Sequence, residues 1–462
     1  MLSTINRHLK STHLKQVQLV LLFLILHFCS FGQSGTPSTY TFQPININKG
    51  AFQYTNPNNV GPALPPNGMT AEKIIQQNNQ NHMQRIGVVT PQVPSTDPVA
   101  RHQFILQQAQ NDQQAKRQHY LDEIRALLEE DLPNYETVDS KRLNQIQYFK
   151  DVFLELQNMK NGVSTFSLKR AVFLIENAWA GNTLNYSSFC SQIDTKVNSI
   201  KSIASKNEVA LSNSLACNAI IQQLYASSGT NINEQLNYDF EDFMGELDWS
   251  KMFVTKLLNT GKGQCHSLPL IYLILAEETK TNAWLAFAPE HSYIIFSDNS
   301  KRVFYNFETT NGNVVTNDWI MESGYVSTPA IRNRIYLDTL GKDQLLGTLI
   351  ADLVMGYTNK LGYDDFANSM VDYILTLNPK SLQGHLLKAD LQVVKTENLL
   401  RKAGSPPIQE INLYPEAYNS YTQLLREYEI IDALGYTPMP KEIYEQWLGS
   451  SSSTNQNANN GN

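Results

Sequence analysis

Apolar residues recur at helical spacing in the middle of the chain. In residues 142–159 they lie three or four positions apart, which predicts an amphipathic helix. The same spacing predicts helices over 169–178 and 212–225, and a longer, more polar helix is predicted over 100–132. One-sided helices need partners for their apolar faces, so we expect a helical region over residues 99–214. The apolar positions of the first helix are Leu143, Ile146, Phe149, Phe153 and Leu156.

Residues 252–310 follow another pattern. A glycine-rich turn over 261–263 precedes Cys265, and an apolar run over 268–275 then predicts a buried helix. Three short runs rich in aromatic and β-branched residues follow, and these predict antiparallel strands. A helix followed by a hairpin indicates an α+β fold. The three runs are Trp284–Phe287, Ser292–Phe296 and Val303–Phe307, with a turn over 298–301 before the last one.

After residue 340 the pattern returns to helices. Residues 345–379 have about the length of one tetratricopeptide repeat, which is a pair of helices. A second unit follows, but glycine, serine and two prolines interrupt it over 404–407. Because such repeats bind partners on a concave surface, we expect tetratricopeptide-like helices over 341–449 with a protein partner. A polar tail is predicted over 450–462.

The first 32 residues predict an export signal. A basic start precedes an unbroken apolar run over 19–26, and the small residues Ser30 and Gly32 stand just before Gln33. The run is too short for a membrane span, which needs roughly 20 residues. We therefore expect a signal peptide over 1–32 with cleavage after Gly32. The mature protein is then extracytoplasmic, either periplasmic or secreted, and has no membrane span.

The chain has four cysteines. Cys29 lies in the export signal, where a lipoprotein is the alternative, although the bulky residues before Cys29 do not suit one. Cleavage leaves Cys190, Cys217 and Cys265, an odd number that allows one pair and one free thiol or three free thiols. Cys190 and Cys217 have no catalytic context, so each is either a core residue or half of a structural pair.

Composition and charge narrow the classes of partner. With 42% hydrophobic residues among 462, the chain can form two or three folded domains. Residues 33–98 are an exception, because Pro, Asn, Gln, Thr and Gly without a sustained period predict a disordered tether. The net charge of -7 and the lack of a basic patch argue against a nucleic-acid partner. The histidines show no metal-ligand spacing, so we expect no metal and no other cofactor.

Cys265 is the strongest candidate for chemistry. Pro269 is tolerated only in the first turn of a helix, so the apolar helix must begin close to Cys265. At a helix start the unpaired N–H groups and the helix dipole stabilise a thiolate, which is the nucleophilic form of cysteine. The same N–H groups can hold the oxyanion that forms when an acyl carbonyl is attacked. His266 points about 100° away from Cys265 on a helix, so we expect it only to flank the cleft.

His291 is the candidate proton acceptor, and Glu308 is the candidate orienting acid. His291 opens the second predicted strand, where a hairpin packed on the helix offers the ring to the thiol. Strand alternation puts Asn306 and Glu308 on one face of the next strand, so a carboxylate can face the histidine. Asn306 and Asp318 are the alternatives for the third residue.

In this order and context, the three residues resemble a known family. Gly263-Gln264-Cys265 at a helix start, Pro289-Glu290-His291 opening a strand and Asn306-Phe307-Glu308 ending the next look like the transglutaminase-like branch of the papain-type fold. The resemblance covers residues 215–340. It implies that Cys265 is the nucleophile, His291 the general base and Glu308 the orienting acid. Members usually have Asp at the last position, and many have an acidic or small residue where His266 stands.

The resemblance implies an exported enzyme of acyl transfer that acts on amide bonds of proteins or peptides. Water as acceptor makes it a protease or amidase, whereas an amine makes it a transglutaminase-type cross-linker. Some bacterial members with this core also carry tetratricopeptide-type repeats. The alternative is a catalytically degenerate core that serves, with its helices, as a protein-binding module. The longer Glu308 favours that alternative, because displacing a catalytic group by about 1 Å can cost on the order of 10²-fold in rate.

Overall fold

The structure is a computed structural model, and it describes one long part of the chain with short gaps. The export signal, the tether, the tail and nearly all of the helix predicted over 100–132 lie outside the described residues. The described residues are 107, 111, 118, 143–225, 235–242, 245, 248–289, 291–321 and 326–437.

Four helices open the continuous part of the chain: α1 (Leu143–Asn161), α2 (Leu168–Trp179), α3 (Tyr186–Lys206) and α4 (Ser214–Gln222). In the predicted apolar stripe of α1, Ile146, Phe149 and Leu156 are buried, Phe153 is half-buried, and Leu143 at the first position is exposed. α2 begins after Ser167, whose hydroxyl accepts a hydrogen bond from the Arg170 N–H. Asparagine side chains cap the next two helices in the same way. Local capping therefore sets where these helices start, and burial of one face holds them together.

A short parallel pair of strands introduces the candidate nucleophile. β1 (Asn237–Tyr238) pairs with β2 (Lys262–Gly263), so that Tyr238 lies opposite Gly263. Between them runs α5 (Val254–Thr260), and after β2 comes α6 (Ser267–Thr279), which is buried along nearly all of its length. A helix that is apolar all round belongs in the middle of a core. Helix α6 has that place here, because helices and the sheet both pack against it.

The sheet follows α6 directly. Its strands are β3 (Ala283–Ala288), β4 (His291–Ser297), β5 (Phe304–Glu308) and β6 (Asn313–Val315), in that order and antiparallel throughout. Two short helices come next, α7 (Asn317–Met321) and α8 (Thr328–Arg332). The turn predicted over 298–301 joins β4 to β5, and Asp298 accepts the Lys301 N–H through its carbonyl and its carboxylate.

The two faces of the sheet belong to different clusters of buried residues. Ile294 and Phe307 join the main core, where the Phe307 ring lies 5.5 Å from that of Tyr272 on α6. Tyr293 and Ile295 join a smaller cluster on the other face. Because side chains alternate along a strand, this division fixes which residues of β4 and β5 face α6.

The chain ends in two pairs of long helices: α9 (Lys342–Leu361) with α10 (Asp365–Leu377), and α11 (Leu382–Lys402) with α12 (Pro415–Leu434). Helix α9 belongs to the main core together with α1 and α2. Helices α11 and α12 form a further core with residues that follow the sheet. The predicted interruption over 404–407 falls in the loop between α11 and α12.

The predicted α+β class is confirmed in coarse form. The described chain is mostly helical, with a short four-stranded antiparallel sheet amid the helices. The three strands predicted from aromatic and β-branched runs are β3, β4 and β5. The pattern missed the two-residue strands β1 and β2, and it also missed β6, because such short runs carry no periodicity.

Candidate active site

The turn before Cys265 is built around two glycines. Gly261 ends α5 in the left-handed conformation, with φ of 68°, which glycine adopts without steric cost. A Cβ on Gly263 would lie 2.5 Å from Ser267 Oγ, so no larger residue fits. That hydroxyl accepts a hydrogen bond from the Gln264 N–H at 3.1 Å, which ties the turn to the first residue of α6. The Gly-x-Cys pattern thus has a local steric reason.

Cys265 lies two residues before the first residue of α6, and its side chain is only 3% exposed. Pro269 is in the first turn of the helix, as its missing N–H requires. Cys265 is disulfide-bonded. Cys190 and Cys217 are free thiols, so the structural pair considered for them is not formed, and Cys217 is a core residue.

His291 and Glu308 form a buried pair. The imidazole Nε2 of His291 is hydrogen-bonded to Glu308 Oε2, and each side chain is only 4% exposed. The other carboxylate oxygen of Glu308 accepts the Thr310 N–H at 3.0 Å and the Thr310 hydroxyl at 2.8 Å. The carboxylate is therefore fixed by its own strand end, and it orients the ring. Strand alternation alone predicted this pairing.

Cys265 touches the same end of the sheet through its main chain. Ser292, the neighbour of His291, donates its hydroxyl to the Cys265 carbonyl. Pairing of Ile295 with Asn306 puts Asn306 and Glu308 on the same face as His291, opposite the face that packs on α6. The described contact between β4 and Cys265 is thus the one made by Ser292, while the His291 ring lies on the face of the sheet turned away from α6.

Several buried polar atoms around this end of the sheet have no hydrogen-bond partner among the described residues. Burial, and then the charge of Glu308, raises the pKa of both Tyr238 and Tyr293, so both phenols lie within electrostatic reach of that carboxylate. An unpaired buried polar group costs about 1–3 kcal/mol. Such a group also keeps its hydrogen-bonding capacity for a polar ligand. The atoms are Tyr238 Oη, Gln264 Nε2 and Oε1, His291 Nδ1 and Tyr293 Oη.

His266, the residue directly after Cys265, makes two contacts of its own. Its Nδ1 is 3.1 Å from the Met252 carbonyl oxygen, and its Nε2 is 2.9 Å from Asp352 Oδ1 on α9. Glu176 on α2 lies nearby, and its carboxylate accepts the Val254 and Thr255 N–H groups at 2.6 and 2.9 Å. We expected His266 only to flank the cleft. Its two contacts give it a part in the structure that the sequence pattern does not indicate.

The alternatives for the third residue, Asn306 and Asp318, have no described contact with the His291 ring. The Asn306 amide donates to Asn317 Oδ1 at 2.7 Å, and Asp318 is exposed on α7.

Within the described part of the chain, no group of three or more His, Cys, Asp and Glu side chains could hold a metal ion. None of the helices described here is long and apolar enough to cross a membrane.

No protein-family model matches the chain, and no curated protein matches it. A crystal structure of menin that reveals its binding site for the Mixed Lineage Leukemia (MLL) protein aligns with a TM-score of 0.29. The aligned sequences are 11% identical over 65% of this chain and 88% of the menin chain. A likeness at that level carries no argument about fold or function.

Proposed function

We propose that the chain is an exported cysteine-nucleophile enzyme that transfers the acyl group of a protein or peptide amide. Cys265 is the nucleophile, His291 the general base and acid, and Glu308 the orienting carboxylate. The proposal includes the finer fold assignment, a papain-type, transglutaminase-like core flanked by tetratricopeptide-like helices. The motifs around the three residues support that assignment, together with the helix-then-sheet order over residues 267–308.

One observation supports this function above the others: only one of the two ring nitrogens of His291 has a hydrogen-bond partner among the described residues. Its Nε2 is engaged by Glu308, whereas its Nδ1 is buried without a partner among the described residues. When Nε2–H donates to the carboxylate, the neutral ring carries its lone pair on Nδ1. That nitrogen is then the acceptor which a thiol proton needs. A histidine with a purely structural role has no reason to leave one buried nitrogen unbonded.

In the acylation step, His291 takes the proton of Cys265, and the thiolate attacks the amide carbonyl carbon. A carbon–sulfur bond forms, and the carbonyl oxygen becomes an oxyanion near the start of α6. His291 then gives its proton to the nitrogen as the carbon–nitrogen bond breaks. The amine leaves, and the acyl group stays on Cys265 as a thioester.

In the second step, an acceptor attacks the thioester while His291 takes its proton. With water, a carboxylic acid forms and the Cys265 thiolate is released, which is the reaction of a protease or amidase. With an amine, a new amide forms, which is transglutaminase-type transfer.

The proposed reaction belongs to the reduced state of Cys265, because a sulfur in a disulfide is not a nucleophile. Since Cys190 and Cys217 are free thiols, a chain cleaved after Gly32 keeps no second cysteine for that disulfide. If cleavage precedes formation of the disulfide, Cys265 of the exported, mature chain carries a thiol. Once the disulfide has formed, cleavage of the peptide bond leaves it intact, and a reductant has to supply the two electrons that return Cys265 to a thiol.

The disulfide also favours a second function, a protein-binding module without chemistry. In that function the core is a scaffold, and the helices over 341–434 hold a protein partner. The exposed apolar side chains of Leu413, just before α12, and Tyr418 on α12 are compatible with such a partner.

The reactivity of the Cys265 thiol decides between the two functions. In the full-length chain, reduced with a phosphine, we expect iodoacetamide at pH 6 to label Cys265 well ahead of Cys190 and Cys217. His291→Ala should slow the labelling of Cys265 by on the order of tenfold, because the thiolate loses its cationic partner. Peptide mapping after timed labelling measures both results. A Cys265 as inert as Cys217 in folded, reduced protein favours the binding module.

A further inference from the structure

Both ring nitrogens of His266 face hydrogen-bond acceptors. One is the Met252 carbonyl oxygen, and the other is the Asp352 carboxylate. A neutral imidazole has only one N–H, so it can satisfy one of these two acceptors. The doubly protonated ring satisfies both, and the contacts therefore define an imidazolium directly after Cys265 in the chain.

The charges that face His266 come from two helices. Asp352 lies on α9, and Glu176 lies on α2. Burial lowers the pKa of His266, but Asp352, the Met252 carbonyl and Glu176 together raise it to about 9. Burial raises the pKa of Glu176 to about 7, although its bonds to Thr255 and Val254 and the charge of His266 act against this. Without the imidazolium, the Asp352 carboxylate would lose the cation that it contacts beside Cys265.

We propose that His266 is a positioning residue for the reaction, a fixed cation that ties the Cys265 turn to helix α9 and favours the Cys265 thiolate. The inference rests on the proposed function. His266 acts through Cys265, because its own ring nitrogens are committed to Met252 and Asp352. The same contact makes α9, the first of the C-terminal helices, part of the support of the nucleophile.

The size of the effect follows from the charge that is lost. Replacing His266 by Gln keeps a side chain of similar length but removes the cation. Loss of a unit charge from the residue next to Cys265 shifts the ionisation of the buried sulfur by about one pH unit, and therefore changes the thiolate fraction at pH 6 by about tenfold. His266→Arg keeps a cation with donors for both the Met252 carbonyl and the Asp352 carboxylate.

A matched control lies in the C-terminal helices. His385 also has both ring nitrogens bonded, Nδ1 to Glu427 at 2.7 Å and Nε2 to the Pro379 carbonyl at 3.0 Å. Its core is formed by α11, α12 and the residues after the sheet, not by the helices around Cys265. His385→Gln thus removes a comparable histidine without removing charge from the nucleophile turn.

The experiment is the pH profile of Cys265 alkylation by iodoacetamide between pH 5 and 9. It uses full-length chain reduced with a phosphine, with folding checked by circular dichroism. We expect His266→Gln to move the profile up by about one pH unit and to slow labelling at pH 6 by about tenfold. His266→Arg should stay within about twofold of the wild type, and His385→Gln should not change the profile.

Three outcomes separate the two proposals. An unchanged profile in His266→Gln, or an equal shift in His266→Arg, overturns the role of His266 as a cation. If His291→Ala slows labelling while His266→Gln does not, this inference fails and the proposed function stands. If wild-type Cys265 is inert at pH 6 but His266→Gln still raises its profile at higher pH, the enzyme proposal fails and the electrostatic role of His266 stands.

Discussion

Two buried histidine–carboxylate pairs in this protein differ in one bond. At the end of the sheet, His291 is bonded to Glu308 through Nε2, and its Nδ1 has no partner among the described residues. In the C-terminal helices, His385 is bonded to Glu427 through Nδ1, and its Nε2 faces the Pro379 carbonyl. Both nitrogens of the His385 ring are bonded, so this pair can only hold helices together. The first keeps one nitrogen for another group.

The groups that surround the two histidine–carboxylate pairs also differ. Glu308 is held by Thr310 and lies near the hydroxyls of Tyr238 and Tyr293, which have no hydrogen-bond partner in the described part of the chain. His385 lies in the first turn of α11, and Ser381 caps that helix. A histidine with both ring nitrogens bonded contributes to stability. A buried ring nitrogen without a partner costs stability, but it offers hydrogen-bonding capacity for chemistry. The predictions below change one side of this comparison at a time.

The largest effect is expected from Gly263→Ala, which disturbs the turn before Cys265. The new methyl group would lie 2.5 Å from Ser267 Oγ and 3.1 Å from a Leu257 methyl group. Overpacking of this kind should lower the free energy of unfolding by about 3 kcal/mol. Urea unfolding measures the loss. Gly347→Ala on α9 is the matched control, since its Cβ would lie an ordinary 3.6 Å from Ile374, and equal losses in both variants would contradict the account.

The next effect concerns the pH dependence of stability. The pKa of His266 rises from 6.5 to about 9 on folding, so its stabilisation is complete below pH 6.5 and disappears as the pH rises through 9. With a discount for a side chain that is 28% exposed, the free energy of unfolding should fall by about 2 kcal/mol over that window. Urea unfolding at several pH values tests this. His266→Gln should flatten the curve, and a wild-type curve already flat from pH 6.5 to 9 would contradict the assignment.

A smaller change is expected when the carboxylates of the two pairs are replaced. Glu308→Gln should slow Cys265 labelling at pH 6 by about tenfold, because the amide cannot stabilise an imidazolium on His291. Glu427→Gln should leave labelling unchanged and lower only the melting temperature. Equal labelling rates in Glu308→Gln and wild type would remove Glu308 from the site.

The smallest effect belongs to Asp318, one of the alternatives for the third residue. It is exposed on α7, so Asp318→Asn should leave the labelling rate of Cys265 unchanged. The free energy of unfolding should change by no more than about 0.5 kcal/mol. The same two measurements apply. A large loss of labelling in this variant would transfer the orienting role from Glu308 to Asp318.

Sequence patterns predicted the local parts of this site. Pro269 predicted the start of α6, and strand alternation predicted that Glu308 faces His291, because both rules depend on neighbouring residues. The contact of His266 with Asp352 could not be predicted in this way, since it joins a turn to a helix far along the chain. Strand β1, which brings Tyr238 close to the site, is too short to show a period.

The central claim is that Cys265 and His291 act as a pair, and the distance between Cys265 Sγ and His291 Nδ1 tests it most directly. That distance should be measured in a crystal structure of the reduced chain, where the sulfur carries a thiol. We predict that the ring reaches around the end of the sheet and that the two atoms lie within hydrogen-bonding reach, about 3.5 to 4 Å. A separation beyond about 6 Å, with no rotamer that closes it, would contradict the enzyme and leave the sheet end as a scaffold for the helices.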